Sequence, residues 1–165
     1  HKDQEEELRI KEDIFNILVK DAETPPPDSL IDRELKFMIE GMKYQIAQSG
    51  MKLEDSGFEP DKAMKAWREK AIFNTTGYMM LEFIATAENI HVTQQDMEAE
   101  YELLAKQTKQ KVEDIQKRLM SNPDSLNQTT TKILGQKAMN FIYSNCEFQF
   151  YKEGEEPEKE AKQEN

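Results

Sequence analysis

Cysteine occurs once, at Cys146, which removes internal disulfides and Cys-x-x-Cys chemistry from consideration. Glycine and proline number six each in 165 residues, and no glycines are spaced as in a phosphate-binding loop, a dinucleotide fingerprint or a nucleophile elbow. No apolar run approaches the roughly 20 residues that span a bilayer. No signal peptide is visible, and the start "HKDQEEEL" has no initiator Met, so it reads as a fragment or tag remnant. Basic charge is also short. With 22 Lys and Arg against 33 Asp and Glu, the net charge is -11, which repels phosphate and argues against nucleic-acid and membrane partners.

Apolar residues make up 37% and charged residues 33%. That is too little apolar material for a thick core, but enough for thin seams between helices. The breakers fall in clusters: "TPPPD" (24–28), "SGMKLEDSGFEPD" (49–61), "SNPDS" (121–125) and "KEGEEPEKE" (152–160). Between them the apolar spacing is helical. Ile10, Ile14, Ile17 and Leu18 share a face of the first segment, and Ile31, Leu35, Met38, Met42 and Ile46 form a stripe on the second.

A third helix is expected over about 61–89, and a fourth after Thr93, an N-cap with Asp96 three residues on. "KQKVEDIQKRLMS" predicts a fifth, and the stretch from Pro123 a sixth. The reading is an all-α, elongated chain of about six helices. Its acidic end, 152–165, has almost no apolar surface to offset the entropy of ordering. In "TPPPDSLIDREL" the restricted φ of the prolines stops one helix, and Pro27 with Asp28 starts the next.

Chemistry-bearing patterns are sparse. Glu88 and His91 match the E-x-x-H of di-metal carboxylate bundles, but the only other histidine is His1, so a second motif is lacking. Adjacent acids such as Glu54-Asp55 and Glu155-Glu156 lie in a linker and a tail and read as solvated charge. Cys146 has no histidine partner and follows a helix end rather than starting a helix. No catalytic residue, metal or cofactor is expected.

Methionine is the informative residue: nine are present, several beside aromatics. Unbranched and polarizable, methionine repacks against many apolar shapes and suits promiscuous binding surfaces, though it also fills helix seams. Phe37, Met38, Met42 and Tyr44 on the second helix, and Met79, Met80 and Phe83 on the third, are the candidates for an open apolar cleft. Phe148 and Phe150 of "CEFQFY" join them.

The order of local patterns resembles the C-terminal domain of bacterial trigger factor, the ribosome-associated chaperone. "LRIKEDIFNILVKDAETPPPDSLIDRELKFM" is similar to that family's long helix, short proline connector and following helix. Ala87, Glu88, Ile90, Val92 and Thr93 sit at matching places of its "I-A-x-x-E-x-I-x-V-T-x-x-E" segment, with Asp96 where Glu is common. "NQTTTKILGQKAMNFIYSNCEF" is similar to its closing helix. The triple proline and the aromatic "CEFQFY" depart from the pattern.

The resemblance implies one helical chaperone domain over 1–151. It comprises a linking helix (1–20), a second helix (28–50), a first arm region (61–120) and a second arm region (123–145), followed by an acidic disordered tail, 152–165. It implies ATP-independent binding of unfolded or nascent polypeptides in a helical cradle, a cytoplasmic location and weak self-association. The family's ribosome-docking loop and prolyl-isomerase domain belong to other domains, so ribosome contact would run through parts absent here. The rival readings are a related periplasmic chaperone domain, a helical scaffold for one folded partner and, last, an enzyme with a half-formed metal site.

Overall fold

The computed structural model describes residues 2–147, so Phe148, Phe150 and the acidic tail lie outside the described residues. Seven α-helices, and no strand, occur among the described residues. They are α1 (Lys2–Asp21), α2 (Asp28–Gln48), α3 (Pro60–Ala66), α4 (Arg68–Ala87), α5 (Gln94–Thr108), α6 (Val112–Met120) and α7 (Pro123–Asn145), with a 3-10 turn at Leu53–Asp55.

The joint between α1 and α2 is built by the prolines. Pro27 takes φ -59 and ψ 142 and serves as the N-cap, so the helix starts at Asp28. Its carbonyl accepts from the N–H groups of Leu30 and Ile31. Asp28 and Asp32 on the first turns of α2 then receive Arg68 at 2.8 and 3.5 Å, tying the start of α4 to the start of α2.

The expected helix over 61–89 is divided. The backbone turns at Trp67 (φ -95, ψ 1), which ends α3 and caps α4, and its ring stacks on Phe58 with centroids 5.8 Å apart. Nothing local announces this bend, since neither glycine nor proline is near Trp67. The bend accompanies a tertiary contact, and it raises the helix number from about six to seven. Helix α4 stops at Ala87, and Asn89 follows in the left-handed region at φ 56.

Helix α4 is the centre, packing on α1, α2, α3 and α7. Three thin cores result rather than one thick one, as the low apolar content requires. Ile31, Leu35 and Ala71 join α2 to α4 with Met38 and Trp67 at the margin. Leu81, Ala85 and Ala138 join α4 to α7, with Phe15 and Leu18 of α1 against them. Tyr101, Ala105, Ile115 and Leu119 hold the α5–α6 hairpin.

Small residues at the crossings allow close approach, most tightly at Gly77. A Cβ there would penetrate the ring of Phe15. Phe15 also meets Phe73 and Tyr78 with centroids 5.5 and 5.8 Å apart, a favoured aromatic spacing.

The turn before α5 is pinned. Thr93 forms the capping box with Asp96: its hydroxyl accepts from the Asp96 N–H at 3.2 Å, and the Asp96 carboxylate accepts from the Thr93 N–H at 2.8 Å. Lys137 of α7 donates to Asp96 at 2.5 Å and to the His91 carbonyl at 2.8 Å. These bonds, led by the one from Lys137 and followed by those from Thr93, lower the Asp96 carboxyl from 3.8 to about 2. Glu88 and His91 lie past the end of α4, so they do not share a helical face, and His91 instead meets Asn89 at 2.8 Å.

Candidate binding cleft

Helices α2 and α4 stand on one side, and the α5–α6 hairpin with the first half of α7 on the other. Between them runs an open cleft of about 570 Å³. Its size falls in the range of ligand sites, but it is a trough rather than an enclosed chamber.

Helix α2 contributes Leu30, Arg33, Glu34 and Phe37; α4 contributes Thr75, Tyr78, Met79 and Glu82. Leu104 of α5 and Leu119 of α6 face them. Phe37 is 55% exposed, whereas Tyr78, 44% exposed, shares its ring between the cleft and an edge-on contact with Phe15. The Tyr78 phenol is raised above 10.0 by burial, with the Glu34 carboxylate adding to the shift.

The α7 wall differs in kind. Ser125, Asn127, Gln128, Thr129 and Thr131 line it with groups that can both donate and accept hydrogen bonds, and Lys132 adds one charge. The local reason is the cap: Asn122 accepts from the N–H groups of Asp124 and Ser125, starting α7 so that "SLNQTTTK" forms its first turns.

Six charged side chains line the cleft: Arg33, Glu34, Glu82, Glu100, Arg118 and Lys132. Glu100 is 6% exposed, and its carboxylate receives Lys132 at 2.7 Å. Glu34 receives the Asn74 amide at 2.9 Å. Among the described residues no buried side-chain N or O lacks a partner, and no group of three His, Cys, Asp or Glu is arranged to hold a metal ion. The cleft thus combines apolar, hydroxyl, amide and charged side chains.

Of the described residues expected to bind, two, Phe37 and Met79, line this cleft. Met38 packs against the Ile31–Leu35–Ala71 core instead. Met42 and Met80 are half-buried away from it, whereas Tyr44 and Phe83 are exposed, at 55% and 58%, but beyond its lining. Phe148 and Phe150 lie outside the described residues.

Leu30, Leu104 and Leu119 are lining residues that the sequence reading passed over, whereas Tyr78 stands beside Met79 in the aromatic and methionine cluster of the third segment. The signal for Leu30 was present: Leu30, Phe37 and Tyr44 recur every seven residues, a second apolar row on α2 beside the stripe that became the seam. A smaller cavity of about 450 Å³ lies on the other side of the hairpin, with Met97, Tyr101, Met120 and Leu126 in its walls.

Comparison with known proteins places the chain. The family described as bacterial trigger factor protein C-terminus matches residues 1–144. Trigger factor of Geobacter sp. (strain M21) is 26% identical over 133 residues, covering 81% of this chain and 31% of that protein. Trigger factor of Koribacter versatilis is 30% identical over 135 residues, with the same two coverages. The chain thus spans about a third of the length of the relatives it matches. A solved structure of trigger factor domains from Thermotoga maritima aligns with a TM-score of 0.58 at 17% identity, covering 86% of this chain and 83% of that one.

Proposed function

This chain belongs to the bacterial trigger factor C-terminus family, and from that premise we propose that it is an ATP-independent chaperone module whose cleft holds exposed apolar segments of unfolded or nascent polypeptides. One observation carries the reading: the cleft brings the rings of Phe37 and Tyr78 and the side chains of Leu30, Met79 and Leu104 together with the hydroxyl and amide side chains of Ser125, Asn127, Gln128, Thr129 and Thr131, with charged residues interspersed on both sides. The first suits apolar side chains of any shape. The second suits the N–H and C=O groups that every unfolded chain exposes and must satisfy. The pairing selects for unfolded backbone rather than for a particular sequence.

Magnitudes set how it works. Fully burying a large apolar side chain contributes about 1.5–3 kcal/mol, whereas a micromolar Kd requires about 8 kcal/mol. Three or more client side chains must therefore be engaged together. A client that folds withdraws them and leaves. Weak, additive, multivalent contact gives holding without trapping, with no nucleotide and no covalent step. The acidic surface keeps the empty cleft soluble. Cytoplasmic work on nascent chains, with ribosome contact made by other domains, follows from the family as part of the same proposal.

Suppression of aggregation of a chemically unfolded protein tests it. The double variant Phe37→Ser, Met79→Ser should lose most of the protection while keeping its helical circular dichroism. Equal protection by variant and parent would refute the assignment to this cleft. A single folded partner, the scaffold reading, would instead show tight binding and indifference to unfolded chains.

A further inference from the structure

The end of the α5–α6 hairpin departs from the charge of the rest of the molecule. Net charge is -11, yet residues 103–112 carry Lys106, Lys109 and Lys111 and no acid. All three lysines are exposed. Among the described residues none of them makes an ion pair. Glu113 and Asp114 come next, but they sit in the first turn of α6, where they offset the positive end of the helix.

The fold does not ask for lysine at two of these places. Lys109 is the C-cap of α5 at φ 55, in the left-handed region where glycine or asparagine is the usual choice. Lys111 is the N-cap of α6, and its side chain makes no cap bond. Serine, threonine, aspartate or asparagine would satisfy that end, and a cation there opposes the helix dipole. Lys106, by contrast, is well placed in the last turn of α5. Two local preferences are broken side by side, both in favour of positive charge.

Opposite charge is within reach on the same chain. Residues 153–164, outside the described residues, contain six glutamates against two lysines. Helix α5 runs antiparallel to α7, since Asp96 meets Lys137 and Glu100 meets Lys132. Lys109 lies as far beyond Glu100 as Pro123 lies before Lys132, so the hairpin end stands level with the start of α7. The other end of α7 is then about 33 Å away, at about 1.5 Å per residue. An extended chain spans about 3.3–3.6 Å per residue, so from Asn145 it covers that distance by Glu156.

We propose that the hairpin end is a docking surface for the glutamate-rich segment 153–164 of the same chain, with Lys106, Lys109 and Lys111 as its contacts. Exposed lysines hold a separate acidic peptide only weakly, but a tethered segment is present at millimolar effective concentration. A free polyanion such as RNA must instead approach against the net charge of the whole molecule. The contact restrains a hairpin whose helices otherwise touch only each other and α7. It is independent of what the cleft holds.

A nitroxide on Gln163→Cys, in a Cys146→Ser background, tests the contact through the amide signals of the full chain. At low salt the signals of 106–111 should lose about half their intensity or more, and they should recover near 1 M salt, where the screening length is about 3 Å. Lys109→Gly with Lys111→Ser should abolish the loss and raise the melting temperature by about 4 °C, because both positions gain a preferred residue.

Signals unbroadened at low salt, or broadening that survives high salt or the double variant, overturn the docking. So does broadening seen only between separately labelled molecules, which would place the segment on a second copy. A single-stranded RNA that binds the hairpin end equally well with and without Glu→Gln replacement of the six glutamates would also overturn it, because the surface would then be unoccupied.

Discussion

The seam between α1 and α4 and the cleft face of α2 use the same residue types for opposite ends. In the seam, glycine at 77 receives the Phe15 ring, and Phe73 and Tyr78 close around it. On α2, glycine at 41 lies between Phe37, which lines the cleft, and Tyr44, which is exposed beyond it, and a Cβ there would meet nothing within 4 Å. Aromatic residues beside a glycine therefore do not reveal by themselves whether a surface is filled or exposed. What separates the two is a partner supplied by the chain: α1 docks on α4, while no described element covers Phe37 and Tyr44.

Breaking the filled side should cost the most. Leu35 is 2% exposed in the α2–α4 core, so Leu35→Ala should lower unfolding stability by about 2–5 kcal/mol in denaturant titration. Gly77→Ala forces Phe15 to move, and about 1–3 kcal/mol should be lost, as in other overpacked seams. A Gly77→Ala protein as stable as the parent would show that α1 is not seated there. On the open side, Phe37→Ser should change stability by less than about 0.5 kcal/mol, while weakening unfolded-client binding several-fold. Loss of stability in this variant would erase the distinction between the two faces.

The smallest effect is a pH dependence at the pin between α7 and the turn before α5. The folded Asp96 carboxyl titrates at about 2, below its ordinary 3.8. Its contribution is therefore fully present above about pH 4 and is lost as pH falls from about 4 to about 2. Asp96→Asn should flatten the stability profile in that window and leave it unchanged near neutrality except for a constant offset. An identical acid profile in the variant would exclude the pin as the cause.

The helices themselves were legible because their signals are local: Pro27 before Asp28, Thr93 with Asp96, and Pro123 after Asn122 all start helices where such residues should. The stripe Ile31–Leu35–Met38 also announced a seam. The division at Trp67 was not legible, since it accompanies a ring contact with Phe58 rather than any breaker. The site was legible only in part. Met38 and Phe37 are neighbours in sequence, yet one turns into the α2–α4 core and the other into the cleft. Methionine and aromatic content signals adaptable apolar surface but carries no information on which face a partner helix will cover. That depends on α4 meeting α2 from one side, a tertiary fact that 100° of helical rotation per residue decides.

Methionine methyl signals give the most direct test of the cleft as the polypeptide site, because the side chains are distributed between filled and open regions. Met79 lines the cleft, Met38 and Met139 pack in seams, and Met120 faces the smaller cavity across the hairpin. On titration with a reduced, carboxymethylated unfolded protein, the Met79 signal should shift and broaden first and furthest, with Met38 and Met139 nearly still. A Met79 signal unmoved while the client binds, or perturbation centred on Met120, would contradict the account.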